Sequence, residues 1–434
     1  MKTSAHRQIK DTEFPHCSRY CRPEGRQTTP AMYKSRLYAC SPRSQCRASL
    51  TPHYTQPNTA VAAIDALSNN HCGYQMRRHG GTSRGNAGCK VVFSGIQPTG
   101  IPHLGNYAGA LRQWVQLQHQ EPPDTKLIYS IVDLHAMTTP QEPNTLRLRK
   151  RETLATLLAI GIDPERSIMF YQSSVPAHSE LMWILACTAS VGYLSRMTQW
   201  KSKLNLDADL AAGTRLQDRQ VVNRLKLGLL SYPVLQAADV LVHRATHVPV
   251  GDDQKQHLEF ARECVTNFNH AYGPHLVYPK TITPPVHRIM SLSDPNSKMS
   301  KSDKTARSRV LVTDSPQEIR AKISSAVTDS ITGVSYDPLE RPGISNLLAI
   351  LSVFDAKNRT PQQLAEAYSA AHPRYLKETV SEAIIAGLEG VRSRFMKLMD
   401  VNNGYLDEVE AEGSRKARQS AEKTMDIVRS ATGL

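Results

Sequence analysis

Val91-Val92-Phe93-Ser94-Gly95-Ile96-Gln97-Pro98-Thr99-Gly100-Ile101-Pro102-His103-Leu104-Gly105-Asn106 divides into three pieces. An apolar run that stops at glycine reads as a buried strand, and Pro98, Gly100 and Pro102 turn the chain out of it. Leu104, Tyr107, Ala108, Leu111, Trp114, Val115 and Leu117 then recur at helical spacing, so a helix opens near Gly105. A second apolar run, 126–132, closes at Asp133. Strand, helix and strand at this spacing make a parallel crossover unit. Further units follow, with a helix over 145–160, a strand over 168–171 and a helix over 179–190. The fold class expected is α/β, a doubly wound parallel sheet of Rossmann-like type.

From Ser315 the pattern changes. Helical periods cover 316–327, 344–354, 361–371, 378–400 and 405–430, with almost no strand signal between them. The expected division is therefore a leader over 1–88, an α/β domain over 89–305 with a helical insertion at about 139–227, and an all-helical domain over 306–434. Asn205 to Gln220, mixed in charge and without an apolar face, reads as a surface loop.

The 434 residues are 40% apolar, 21% charged and 6% aromatic, which excludes collagen-like, disulfide-scaffold and wholly disordered chains. The most apolar stretch, Leu229 to Val242, is interrupted by Pro233, Gln236 and Asp239, so no membrane span is expected. Charge is uneven. Residues 1–88 hold 13 Lys and Arg against Asp11, Glu13, Glu24 and Asp65, a net +9 of the whole chain's +14. An Arg-rich, Ser-containing, acid-poor N-terminus without an apolar core reads as an organellar targeting segment and linker, largely disordered. A basic arm for nucleic acid has the same composition. Cys17, Cys21, Cys40, Cys46, Cys72 and Cys89 lie in or beside the leader at spacings unlike a zinc site. Cys187 and Cys264 sit in apolar helical patterns and are expected to be buried free thiols.

The loop over 97–106 links a strand to a helix start, which in a parallel sheet faces the ligand crevice. There backbone N–H groups and the helix dipole favour phosphate. Gly105 allows a nucleotide close to the backbone, and His103 and Asn106 can donate to phosphate oxygens. A second loop, Asp294-Pro295-Asn296-Ser297-Lys298-Met299-Ser300-Lys301-Ser302, presents two lysines three apart that can follow charge onto a leaving pyrophosphate.

His103-Leu104-Gly105-Asn106 and Lys298-Met299-Ser300-Lys301-Ser302 resemble the two signatures of class I aminoacyl-tRNA synthetases, with Asn106 standing where the first signature usually ends in histidine. That substitution resembles the tryptophanyl branch. So do the segments 93–100, 196–199, 232–239, 248–254 and 343–348, and the likeness runs from about Lys90 to Leu434.

The resemblance implies that 89–305 is the catalytic domain and 306–434 an anticodon-binding domain, with Arg392, Arg394, Lys397, Arg415, Lys416, Arg418 and Lys423 near the anticodon. It implies a tryptophan pocket of Phe93, Gly95, Val132, His135, Val248 and Val250, with Tyr232 and Gln254 on the α-amino group and Asp239 accepting the indole N–H. Such a donor-only nitrogen needs an acceptor in an apolar pocket. Val248 and Val250 fit a buried strand equally well. For ATP it selects Gln97, Pro98, Thr99, Gly105, Asn106, Gly251, Asp252, Asp253, Ile289, Lys298, Met299, Ser300, Lys301 and Ser302. His103, Asn106, Lys203, Lys298, Lys301 and Ser302 are the implied catalytic set, although Lys201 could serve in place of Lys203. Gln236 departs from many bacterial relatives.

The implied reaction has two steps. Tryptophan and ATP give tryptophanyl adenylate and pyrophosphate, and the 3′ end of tRNA(Trp) then takes the acyl group. No protein nucleophile is needed, Mg²⁺ is expected to arrive with ATP, and no metal site of the protein's own is expected. A homodimer is implied by the resemblance, and the leader is expected to direct the chain to the mitochondrial matrix in preference to the chloroplast. The rival readings are a tyrosyl synthetase, another nucleotidyltransferase of this fold, and a non-catalytic RNA-binding or splicing factor on the same scaffold.

Overall fold

The computed structural model describes residues 89–197, 199–203, 223–251, 254–282, 288–301, 303–400 and 404–434. The leader and the 205–220 segment lie outside the described residues. So do Asp252, Asp253, Ser302 and the side chain of Lys203.

Five parallel strands form one sheet in the order β3-β2-β1-β4-β5. They are β1 (Val91–Ile96), β2 (Lys126–Ile131), β3 (Ser167–Tyr171), β4 (His247–Pro249) and β5 (Lys280–Ile282). Successive residues of β1 go to opposite faces, as the pleat requires. Val92 joins Leu127, Tyr129, Ile131 and Met169 in one apolar cluster, while Val91 and Phe93 join Ile128, Phe170 and Val248 in another. Apolar residues on both faces of each central strand explain why these runs are continuously hydrophobic.

Helices cover both faces. On the first lie α1 (Arg112–Gln120) and α2 (Pro143–Ala159). On the second lie α3 (Ala177–Ala186), α4 (Leu227–Leu241) and α5 (Lys255–Tyr272). The C-terminal helices are α6 (Pro316–Ser324), α7 (Pro342–Phe354), α8 (Pro361–Ala367), α9 (Pro373–Gly387), α10 (Val391–Met399) and α11 (Tyr405–Thr432). Residues of α6 to α10 continue the first apolar cluster, and Ala417, Ala421, Met425 and Val428 of α11 join the second.

Several expectations are corrected. The helix read over 378–400 is two helices, because Gly390 adopts a left-handed φ of 73° between them. Within the span 139–227 lies β3, the strand expected over 168–171, at the edge of the sheet. Cys264 is buried, and burial pushes its thiol up to about 12. Cys187, however, is exposed at the end of α3.

Candidate active site

Order 3-2-1-4-5 reverses direction between β1 and β4, and a crevice opens beyond the carboxyl ends of the strands at such a reversal. A cavity of about 640 Å³ lies there. Phe93, Gly95, Val132, His135, Tyr232, Asp239, Val248, Val250 and Gln254 line it, together with Gln97, Gly105, Asn106, Gly251, Ile289 and Lys298. All nine residues expected around an amino acid therefore meet in one space. The side chains around the amino-acid end come from β1, β4, α4 and the turns that follow β2 and β4.

Backbone requirements explain the two glycines. A Cβ on Gly95 would lie 2.9 Å from Val132 Cγ1, and one on Gly105 would lie 2.9 Å from His103 Cε1. The turn Leu104–Asn106 runs into a π-helical turn, Tyr107–Leu111, before α1 begins. Gly109 and Ala110 of that turn line the cavity, a place where π-turns recur in functional sites.

His103 closes the first loop upon itself. Its Nδ1 accepts from Gly105 N–H at 3.0 Å, and its own N–H donates to Asn106 Oδ1 at 3.2 Å. Burial, with Lys301, Arg309 and Lys298 nearby, pushes the imidazole down to about 4. It is thus neutral near pH 7, with Nδ1 as acceptor and Nε2 as the donor.

The lysine loop is docked onto this first loop. Lys301 Nζ donates to Gly100 O at 2.5 Å, and burial is the main cause that brings the amine down to about 8. Leu104 N–H donates to Val310 O and Val312 N–H to Pro102 O, so residues 310–312 bind the other side of the loop. Met299 is buried, while Lys298 is exposed at the cavity. Met299 N–H donates to Ile289 O, and Asn346 of α7 grips Met290 from both sides. Met290 N–H donates to Asn346 Oδ1 at 2.9 Å, and Asn346 Nδ2 donates to Met290 O at 3.0 Å. A packing requirement also holds α7 in place, since a Cβ on Gly343 would meet Val327 O at 2.3 Å.

At the other end of the cavity Asp239 is 1% exposed. Its Oδ2 accepts from His135 Nε2 at 2.9 Å and its Oδ1 from His178 Nδ1 at 2.7 Å, while Gln172 Nε2 donates to both oxygens. Gln172 Oε1 accepts from Leu134 N–H, which fixes the amide's orientation. Burial alone would raise the carboxyl, but the His135 and His178 hydrogen bonds outweigh it and hold Asp239 below the ordinary carboxylate range. The result is an ionised acceptor beside Phe93, Val132 and Val248, all apolar.

The pattern of the family tRNA synthetases class I (W and Y) matches residues 88–389. The mitochondrial tryptophan–tRNA ligase of Schizosaccharomyces pombe is 44% identical over 355 residues, covering 79% of this chain and 95% of the yeast protein. The chain belongs to the class I tRNA synthetases of the tryptophan and tyrosine group. The tryptophanyl-tRNA synthetase structure from Mycoplasma pneumoniae overlays with a TM-score of 0.69 at 30% identity, covering 80% of this chain and 98% of that one. That from Campylobacter jejuni, complexed with ADP and tryptophan, gives 0.63 at 30% identity, covering 79% and 100%.

Within this synthetase fold some expected residues stand back from the cavity. Pro98, Thr99, Met299, Ser300 and Lys301 are not among its lining, and neither is His103; Met299 and Lys301 contact the first loop. The sequence reading missed Arg288, Gln199, Trp114 and Gly109, which do line it. Gln172 and His178 were missed as well, because only tertiary contact reveals their bond to Asp239. Gln236, the departure from bacterial relatives, donates to Gln254 Oε1 at 3.1 Å, so it supports a residue expected at the amino group.

Proposed function

We propose that this chain is a mitochondrial tryptophan–tRNA ligase that makes tryptophanyl adenylate from tryptophan and ATP and passes the acyl group to tRNA(Trp). One observation carries the amino-acid choice: a buried, ionised Asp239 closes the apolar end of the cavity. An indole N–H adds a hydrogen bond to a carboxylate already oriented by His135, His178 and Gln172, whereas an apolar ring without a donor gains nothing from it.

Phe93, Gly95, Val132, Val248 and Val250 enclose the indole, and Tyr232 and Gln254 receive the α-amino group. The α-carboxylate then points toward Gln97, Gly105 and Asn106, where ATP places its α-phosphate. In-line attack forms a bond between a carboxylate oxygen and the α-phosphorus and breaks the α–β phosphoanhydride, releasing pyrophosphate. His103 Nε2–H, Asn106, Lys298 and Lys301 stabilise charge on the departing pyrophosphate. Gly251, Asp252 and Asp253 hold the ribose, while Lys203 and Ser302 complete the phosphate contacts. Mg²⁺ is assigned to the ATP phosphates as they enter.

Residues 306–434 approach the tRNA anticodon in this reading, and 89–305 carry the chemistry. Arg392, Arg394 and Arg418 spend donors on Thr313 O, Ala159 O and Ser174 O, which leaves the exposed Lys423 as the better candidate for RNA. The working form is a homodimer in the mitochondrial matrix. Exposed Trp183, Val191 and Leu227 are the apolar groups that a second copy would cover.

ATP–pyrophosphate exchange on the full chain tests the reading. Exchange with tryptophan but not tyrosine, lost in Asp239→Asn, is the expected result. Exchange driven by tyrosine, or by neither amino acid from folded protein, overturns it.

A further inference from the structure

The hydrogen bonds behind Asp239 do not end at His178. His178 Nε2 lies 3.2 Å from His243 Nε2, and His243 Nδ1 lies 3.2 Å from Ser420 Oγ on α11. Asp239, His178 and His243 are all within 3% of full burial. The direction of the chain follows from its end. A carboxylate only accepts, so His178 Nδ1–H donates to Asp239. In the neutral tautomers His178 Nε2 is then left as an acceptor, and His243 must supply Nε2–H to it. His243 Nδ1 in turn accepts from the Ser420 hydroxyl. Burial, followed by the neighbouring His178, pushes His243 well below its ordinary value, which keeps it in the neutral form this direction requires.

The His243 ring also packs against the pocket wall. It stacks on Phe93 with centroids 5.7 Å apart at 21°, and meets Phe170 edge-on at 5.6 Å. One buried imidazole thus touches the support of the acceptor and the aromatic wall of the cavity, without lining the cavity itself.

We propose that His243 is a positioning residue for amino-acid selection, orienting Asp239 through His178 and Phe93 through stacking, with Ser420 of the C-terminal helix fixing its tautomer. This rests on the reading of Asp239 as the indole N–H acceptor. The expected consequence is confined to ligands that use that acceptor. A ring that fills the same space but carries sulfur in place of N–H gains nothing from a correctly aimed carboxylate.

The test compares tryptophan with β-(3-benzothienyl)alanine in ATP–pyrophosphate exchange. His243→Phe keeps an aromatic ring on Phe93 but removes the donor to His178, whereas His243→Gln restores a donor at about the same reach. Expected for His243→Phe is a KM for tryptophan about tenfold higher, with kcat, the KM for ATP and the KM for the sulfur analogue unchanged. Expected for His243→Gln is recovery of most of that loss. Ser420→Ala, which deletes a single half-buried hydroxyl, gives a smaller shift of about two- to threefold in the same direction and guards against a folding failure of the ring variants. Equal losses for both amino acids, or an unchanged KM for tryptophan in folded His243→Phe and Ser420→Ala, overturn the inference. Wild-type protein that exchanges with neither amino acid overturns the proposed function itself, and this inference with it.

Discussion

Lys301 Nζ donates to the carbonyl oxygen of Gly100 across 2.5 Å, joining two loops 201 residues apart in the chain. Gly100 has a φ of 95°, a backbone conformation that favours glycine and presents that carbonyl to the lysine. The amine sits at about 8, brought down first by burial, opposed by Glu152 and lowered further by Arg149 and Arg309. Its charge is therefore lost as pH rises through about 8. The adenylation kcat is expected to fall along an alkaline limb at that pH, and Lys301→Arg to shift the limb upward because guanidinium keeps its proton. Lys301→Ala should cost about 10²-fold in kcat at pH 7.5. A pH profile of single-turnover adenylation measures this; the same alkaline limb in Lys301→Arg would remove the assignment.

His103 gives the opposite limb. Its folded value of about 4 lies below the ordinary 6.5, so the folded chain resists a proton that the unfolded chain takes up. Stability tied to His103 is present above 6.5 and is lost as pH falls from there toward 4. The loss is up to about 3 kcal/mol. Urea unfolding at pH 7 and pH 4.5 is expected to show a smaller acid loss for His103→Gln than for wild type. Parallel acid losses in the two proteins would contradict it.

Asn346 acts at a distance from the substrates. Truncation to alanine leaves the Met290 N–H and C=O without their amide partners, at a cost of about 2 kcal/mol. Since Met290 pairs with Lys298, the looser strand carries the lysine loop with it. Asn346→Ala is expected to raise the KM for ATP about fivefold while leaving the KM for tryptophan in place. Equal rises in both constants would show general damage instead.

The parts of this fold that were legible in sequence are those whose signal is local. A strand ending in Gly95, a turn with two prolines and a helical period from Leu104 each declare themselves within a few residues. β5 does not: Lys280–Ile282 is three residues long and only partly buried, too short to show alternation. Gly390 looked like one more residue of a helix, because a left-handed φ leaves no mark on the apolar period. Asp239 could be placed by resemblance, but His178 and His243 are single histidines on apolar stretches, and their hydrogen bonds form only when α3 and α4 pack together. An exposed Cys187 misled for the converse reason: Ile184 and Leu185 face inward, while Cys187 shares the outer face of α3 with Trp183.

Trp183 tests the assembly. It is 71% exposed on α3, an unusual position for the largest apolar side chain unless another surface covers it. Trp183→Glu should convert a homodimer into monomer at micromolar concentration, read as a halved mass in analytical ultracentrifugation. A monomeric wild type, or a dimeric variant, would remove this surface from the interface.

Gly413 shows why the final helix packs directly on the sheet rather than standing apart from it. A Cβ there would stand 1.6 Å from Met169 O, on the strand next to β2, and neither backbone can withdraw without separating α11 from the sheet. The same helix places Ser420 against His243 and ties Arg429 to Glu180 of α3, so its docking and the amino-acid pocket share one packing arrangement. Gly413→Ala is expected to cost about 3 kcal/mol or more, because overpacking against main chain has no side chain to absorb it. In protein that still folds, the displacement of α11 should raise the KM for tryptophan and expose the helix to early proteolysis. Thermal unfolding and limited proteolysis measure both effects, and a Gly413→Ala protein as stable and as active as wild type would show that α11 can leave β3 without consequence for the pocket.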